Sequence, residues 1–521
     1  MKYIILFTGL LLAYYSLSAQ QLVPSAEIIS QPVVIEDDDW RFEGTENLMF
    51  VPENRNKADS RKIALHFFRF PAREKSTLAP VVFLGAGPGE PYAVEVFYDG
   101  SRAEAWRYEL NFVNQKRDVL LINQRGNSDS PGLPPREFIY RWKNGGKLDQ
   151  PLDLALMNRN RREAYAQHIN AYTDKGMDLA GYDIFHFVDD IEAVRKQLGY
   201  KKIALIGNSF ASQWGLGYMQ RYPERVDRAL FSGVEPLDHN YDDPEGIWKV
   251  FETIDTYARA DEAIAQYLPE GGLLEAFTAV IERLEKTPQY ARLTIDGEEM
   301  DVAVGADDLR YCLTYPRVRS YHAEIESWPK YIMELYQGEY SSLASISQGR
   351  IYNSTSRMIN PLFNNSLGIS PEREAILNSR PSRRWLGEIN SHYVSTRDIC
   401  PAPKVPAEFR QHKSHDIPTL LIQGDMDMST PYENATFLME YLENGHLITV
   451  KRGFHNAKRA LIFADSTLMN QIYEFMNMDF GETDFQTFKS SLPDTYEMPP
   501  FEFWPIEGET LFERYRRERK R

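Results

Sequence analysis

The stretch Ile203-Ala204-Leu205-Ile206-Gly207-Asn208-Ser209-Phe210-Ala211 runs four apolar residues straight into a Gly-x-Ser-x-Ala pentapeptide. A short continuous apolar run is expected of a strand buried on both faces of a parallel sheet. Gln213 to Tyr222 then reads as a helix stopped by Pro223. Ser209 therefore falls in a sharp strand-to-helix turn. Such a turn holds its serine in a strained conformation, needs small neighbours, and places the hydroxyl beside the positive end of a helix. The pentapeptide alone is weak evidence, but between these two elements it makes Ser209 a candidate nucleophile. Ala211 stands where a second glycine is usual, a change the turn should tolerate.

The same grammar extends on both sides. Val81-Val82-Phe83-Leu84 and Asp118-Val119-Leu120-Leu121-Ile122 are two more continuous apolar runs, and Arg228-Ala229-Leu230-Phe231 is a further strand after the helix. Val188, Ile191, Val194 and Leu198 recur at helical spacing before the decisive strand, with Gly199 as the stop. Upstream, Asn47 to Val51 and Lys62 to Phe68 look like antiparallel strands separated by the polar turn Glu53 to Lys57. Strands alternating with helices predict a doubly wound α/β domain with a mostly parallel sheet. From about His239 to Ser414 helical periodicity dominates, as in Leu273 to Leu284 and Trp328 to Tyr336. Strands resume at Ile417 to Ile422 and Leu447 to Val450. The expected organisation is a signal peptide over 1–19, a core segment over 20–238, a helical cap over 239–414, and a second core segment with the C-terminal tail over 415–521.

A serine hydroxyl is a poor nucleophile until a base takes its proton and an acid orients that base. When the nucleophile sits in such an elbow, the acid and the histidine follow in that order, each after a later strand. Asp427 lies in Gly424-Asp425-Met426-Asp427-Met428-Ser429-Thr430-Pro431, at the end of the first resumed strand; His455 lies in Gly453-Phe454-His455-Asn456, past the second. Asp425 is the rival acid. His446 is the rival base, but it precedes its strand and should lie at the wrong edge of the sheet. The glycine-rich loop Gly85-Ala86-Gly87-Pro88-Gly89 follows the first buried strand. There the Gly87 N–H, with that of Phe210, can form an oxyanion hole. These features predict an α/β-hydrolase fold with a helical cap inserted before the strand leading to the catalytic Asp.

The chain has 521 residues, with 59 Lys and Arg against 75 Asp and Glu, a net charge of −16 that argues against nucleic acid as a partner. Its only basic run, Arg514 to Arg521, is expected to be a solvated, frayed end. Lys2, the apolar stretch Tyr3 to Tyr15 and Ser16-Leu17-Ser18-Ala19 read as a signal peptide, so export to a periplasm or the medium is expected. No later segment is apolar enough over about 20 residues to span a membrane. Neither Cys312 nor Cys400 has a partner at zinc-ligand spacing, and the 10 His are scattered, so no metal or other cofactor is expected. Export and a shared place in the insertion predict that the two cysteines are paired.

The sequence resembles the serine aminopeptidases of the proline iminopeptidase and tripeptidyl aminopeptidase type. The resemblance lies in Asn47 to Pro52, Gly87-Pro88-Gly89, Asn123-Gln124-Arg125-Gly126-Asn127-Ser128-Asp129-Ser130, Asp190 to Arg195 with Leu198-Gly199, and the stretch from Gly424 to Pro431, which places the acid on Asp427. In the cap only Asp398-Ile399-Cys400 shares it. The elbow departs from the family, with Gly-Asn-Ser-Phe-Ala-Ser for Gly-Gly-Ser-Tyr-Gly-Gly. Gly85-Ala86 stands for His-Gly, and Asn123 for Asp. The resemblance implies release of N-terminal residues from peptides, with the free ammonium held by cap acids, for which Glu324, Glu326 and Glu334 are candidates. A carboxylesterase or lipase acting on small acyl substrates, and a non-catalytic binding protein, are the alternatives.

Overall fold

The computed structural model describes residues 28–37, 40–90, 101–126, 138–295, 297–314, 325–480 and 484–518. The expected signal peptide, Asn127 to Ser130 and Glu324 lie outside them.

Strands β1 (Ile28–Asp37), β2 (Trp40–Pro52), β3 (Lys62–Phe70), β4 (Val81–Leu84), β5 (Val119–Ile122), β6 (Ile139–Lys143), β7 (Ile203–Asn208), β8 (Val226–Ser232), β9 (Gln289–Ile295), β10 (Glu298–Val304), β11 (Asn353–Arg357), β12 (Thr419–Gly424), β13 (Gly445–Lys451) and β14 (Thr495–Glu497) follow in chain order. Ten of them form one sheet, in the order β1-β2-β3-β5-β4-β7-β8-β12-β13-β14. The first three strands run antiparallel to their neighbours, as in the β2–β3 pair; from β5 to β14 every pairing is parallel.

The continuous apolar runs are explained by two cores, one on each face. Successive side chains of a strand point to opposite faces. Val82, Leu84, Leu205 and Phe231 meet the helices Leu154–Asp174, Ile184–Gln197 and Phe210–Arg221 on one side. Val81, Phe83, Ala204, Ile206 and Leu230 meet Ser101–Val113, Ala457–Ala464 and Ser466–Asn477 on the other. Each buried Leu, Ile or Phe stabilises the layers by about 1.5–3 kcal/mol.

Between β8 and β12 the chain forms a third apolar core around the helices Pro244–Ala260, Gly272–Lys286 and Trp328–Gln337. That core takes in Met426, Met428 and Phe454, the neighbours of Asp427 and His455. Two small sheets escaped the sequence pattern. In the β9–β10 hairpin, Ala291, Leu293 and Ile295 alternate with exposed residues. β11 pairs with β6 across a long stretch of intervening chain, which no local pattern can announce.

Two expectations are corrected. Cys312 and Cys400 are free. Cys312 belongs to the third core, whereas Cys400 packs on the first and points its sulfur at the carbonyls of Pro361 and Leu362, each 3.7 Å away. Burial pushes the two thiols up to about 12 and about 11, which leaves them poor nucleophiles. The tail is not frayed through residue 518: Leu511–Glu518 is a helix, anchored by buried Leu511 and by Arg514 over the Trp504 ring at 3.5 Å. Among the described residues no helix is long and apolar enough to cross a membrane.

Candidate active site

β7 ends at Asn208 and the next helix begins at Phe210, so Ser209 alone makes the turn. Its backbone sits at φ 59° and ψ −134°, a conformation that costs a non-glycine residue on the order of 1–3 kcal/mol. Three contacts hold it there. The Ser209 N–H donates to Ser232 O at 3.0 Å, while the Ser212 N–H and hydroxyl both donate to Ser209 O at 2.7 Å. The Ser212 hydroxyl also accepts the Glu235 N–H at 2.9 Å, tying the elbow to the end of β8. Gly207 lies against the following helix so closely that a Cβ would sit 2.9 Å from the Ala211 carbonyl group and 3.1 Å from its Cβ. Glycine at 207 is what makes room for alanine at 211.

Asp427 is buried and surrounded by donors. Its Oδ1 accepts the Ser429 and Thr430 N–H groups at 2.9 Å; its Oδ2 accepts the Thr430 hydroxyl at 2.7 Å and the Gln423 amide at 3.1 Å. His455 Nδ1 lies 2.9 Å from Oδ2 and 3.1 Å from Oδ1. Burial pushes the carboxyl up, but the charge and hydrogen bond of His455 and the Thr430 donors outweigh it and hold Asp427 below its ordinary range. The acid and base loops are also laced together, Met426 N donating to Gly453 O at 2.9 Å.

The imidazole lies close to Gly233, the residue that follows β8. A Cβ at 233 would stand 3.2 Å from Nδ1 and Cε1 of His455 and 3.1 Å from its carbonyl oxygen. Ser232, one residue earlier, receives the Ser209 N–H. The end of β8 thus brings the elbow and His455 together. Among the described residues neither Ser209 Oγ nor His455 Nε2 has a hydrogen-bond partner. The two are therefore not bonded to each other, and such contacts commonly tighten only when substrate is bound.

The rivals are placed elsewhere. Asp425 turns away, its Oδ1 accepting the Arg452 N–H at 2.7 Å with Lys451 3.4 Å from Oδ2, and it braces Arg452 at φ 57°. His446 lies at the start of β13, its Nε2 3.3 Å from Pro493 O, at the opposite edge of the sheet from His455.

Gly87 and Phe210 follow β4 and β7, which are neighbours in the sheet. Gly87 has φ +70°. The loop around it is braced by Gln124, whose amide donates to Gly85 O at 3.2 Å and Gly87 O at 2.9 Å and whose oxygen accepts the Gly89 N–H at 2.6 Å. Phe210 is the first residue of its helix, so its N–H has no acceptor within the helix. The segment Asn123-Gln124-Arg125 thereby acquires physical roles. Asn123 contacts His66 at 2.7 Å, Gln124 shapes the glycine loop, and buried Arg125 clasps Asp190 through two bonds of 2.6 and 2.7 Å.

Two of the cap acids expected to hold an ammonium group, Glu326 and Glu334, are engaged elsewhere. Glu334 accepts the Leu511 N–H at 3.0 Å beside Lys330, and Glu326 accepts the Glu502 N–H at 3.0 Å; both secure the C-terminal segment. A further acid, Glu235, lies two residues past Gly233 and feels the charge of Asp427. Burial and the nearby charges of Asp242 and Asp427 push it up to about 8. Its place just past a strand end was visible in the sequence; its nearness to Asp242 and Asp427 was not. Gly233, Gln423, Thr430 and Ser212 were missed too, because their roles arise from contacts between strand ends rather than from a motif.

A family model described as alpha/beta hydrolase fold matches residues 79–266, which hold the glycine loop and the elbow. The chain has the α/β-hydrolase fold. A second model, described as TAP-like protein, matches residues 388–462 of this α/β-hydrolase-fold chain and so includes Asp427 and His455. A curated relative, YuaR of Escherichia coli (strain K12), named provisionally as a hydrolase, is 25% identical over 178 residues. The match covers 34% of the chain, and the chain spans only 32% of that relative's length. Among solved structures, a serine hydrolase from Cycloclasticus zankles is similar at a TM-score of 0.34 and 12% identity, over 87% of this chain and 100% of its own. A bromoperoxidase from Bacillus anthracis is similar at a TM-score of 0.33 and 14% identity, over 83% and 100%.

Proposed function

We propose that this protein is a serine hydrolase that releases N-terminal residues from short peptides through an acyl-enzyme. Ser209 attacks the carbonyl as His455 takes its proton; the tetrahedral oxyanion is held by the N–H groups of Gly87 and Phe210; His455 then protonates the leaving amine. Water repeats the sequence on the acyl-enzyme and restores the free serine. Asp427 keeps Nδ1 of His455 protonated and pointing inward. The observation that carries this reading is the bond between His455 Nδ1 and Asp427, presented beside an elbow serine whose hydroxyl is unused.

The preference for chain ends rests on what surrounds the triad. The segment between β8 and β12 touches the loops of all the candidate groups. Phe363 packs on Phe210 at 4.6 Å, Arg357 lies on Gly89, and the third core encloses Met426 and Phe454. The helix Pro244–Ala260 lies so close to Pro431 that a Cβ at Gly246 would sit 2.4 Å from its ring. A site rimmed in this way admits chain ends and excludes water and folded proteins. Glu235, which feels the charge of Asp427, is the acid assigned to a substrate ammonium. Without ligand, its neighbours Asp242 and Asp427 favour the protonated acid; a bound ammonium supplies the countercharge and the proton leaves.

Three results follow. Amino-acyl p-nitroanilides with a free amino group are cleaved, and their N-acetylated forms are not. KM for the free forms falls as pH rises from about 6 to 8, and Glu235→Gln raises KM at pH 8 with little change in kcat. A raised acid pKa also means that the folded chain retains a proton the unfolded chain has lost. The group therefore costs stability increasingly up to about pH 8, and Glu235→Gln raises Tm at pH 8 more than at pH 5. Equal cleavage of acetylated substrates, or rapid internal cleavage of a folded protein, would refute the exopeptidase reading and favour an esterase on the same triad.

A further inference from the structure

The segment from β11 into the helix Ile359–Leu367 reaches both halves of the proposed oxyanion hole. β11 is anchored along β6, and the pairing continues as Met358 N donates to Phe138 O at 3.0 Å. Arg357 is thereby pinned at the strand's end. Its Nη1 donates to the carbonyl of Gly89, and its Nε lies 3.7 Å from the Glu90 carboxylate. The arginine stem rests on bare backbone. Gly89 sits at φ +86°, and a Cβ there would stand 2.9 Å from Arg357 Cδ and 3.1 Å from its Cβ. The Gly89 N–H in turn binds the Gln124 oxygen, and the same Gln124 amide holds the Gly87 carbonyl. A displacement of Gly89 is therefore passed to Gly87. A few residues on, the ring of Phe363 stands edge-on to that of Phe210, with an interplanar angle of 80°.

We propose that Arg357 is a positioning residue for acyl transfer: from the inserted segment it clamps the glycine loop so that the N–H groups of Gly87 and Phe210 converge on the acyl oxygen. The proposal rests on the serine-hydrolase reading. Its physical basis is that donors stabilise an oxyanion only when fixed in place before the charge develops. Arg357 needs no contact with substrate to do this.

The test compares the full chain with its Arg357→Met and Arg357→Lys variants on p-nitrophenyl acetate and on an unblocked amino-acyl p-nitroanilide. A boronic acid serves as the probe of the tetrahedral state. Arg357→Met is expected to lower kcat about 10- to 100-fold on both substrates with KM changed less than about threefold, since small misplacements cost this much. Boronate affinity should fall in the same proportion. Arg357→Lys, which keeps the charge and stem, should fold as the parent does and show the same split at smaller size. In a double-mutant cycle, Gly89→Ala and Arg357→Met should be non-additive, because both loosen one contact. If Arg357→Met or Arg357→Lys lowers only Tm, with kcat and boronate affinity as in the parent, the proposal is overturned while the triad stands. If the parent neither hydrolyses these substrates nor binds boronate, or if Ser209→Ala remains active, the underlying reading fails instead.

Discussion

Asp427→Asn lowers kcat by about 10⁴-fold, because an amide in that place selects the wrong tautomer of the histidine. Every group around the carboxylate is a donor: the N–H groups of Ser429 and Thr430, the Thr430 hydroxyl, the Gln423 amide and His455 Nδ1. A carboxylate can accept from all of them, whereas an asparagine must turn its own NH₂ toward one side. On the Oδ2 side it meets Nδ1 and forces the proton to Nε2, where a base is needed. On the Oδ1 side it meets two backbone N–H groups and breaks the turn. Asp425→Asn changes kcat less than about tenfold, because its carboxylate serves Arg452 and Lys451 rather than the histidine. Steady-state kinetics of the two variants at pH 8, with circular dichroism to show that both fold, separates the assignments. A larger loss in Asp425→Asn would assign the acid to 425.

Gly233→Val lowers kcat by about 100-fold or more, since reacting groups tolerate little misplacement. Two penalties coincide there. The backbone holds φ +54°, which a β-branched residue adopts only with strain, and the new Cβ would stand 3.2 Å from Nδ1 and Cε1 of the imidazole. The ring cannot shift freely to make room, because Asp427 and Thr430 hold Nδ1. Gly233→Ala adds one carbon and should fall between parent and valine. A graded fall in kcat, with a drop in Tm that does not track it, marks displacement of the base. Full activity in folded Gly233→Val would remove Gly233 from the account.

The parts of the fold legible in the sequence are those whose chemistry is local. β4, β5 and β7 are buried on both faces, so each shows as an unbroken apolar run; the elbow needs a glycine, a serine and a helix start in succession, and all are adjacent in the chain. The placement of Asp427 and His455 past β12 and β13 was legible because strand-end position is itself a local signal; their bond to each other was not. The β6–β11 pair and the Arg357–Gly89 contact were not, since their partners lie more than 200 residues apart in the chain. The cysteine expectation failed for a related reason. Both residues lie in one inserted segment, but that segment serves two cores, one with Cys312 and one reached by Cys400. Glu326 and Glu334 were not told apart from site acids because a glutamate in a helical segment looks the same whether it faces a cleft or, like Glu334, secures a terminal helix.

Whether Ser209 is a nucleophile activated by His455 is tested by covalent labelling with a fluorophosphonate followed by peptide mapping. One phosphonyl group per chain is expected, carried on Ser209, with loss of labelling in Ser209→Ala and strong suppression in His455→Ala. Labelling at another residue, or a Ser209→Ala protein that still reacts and hydrolyses esters, would contradict it.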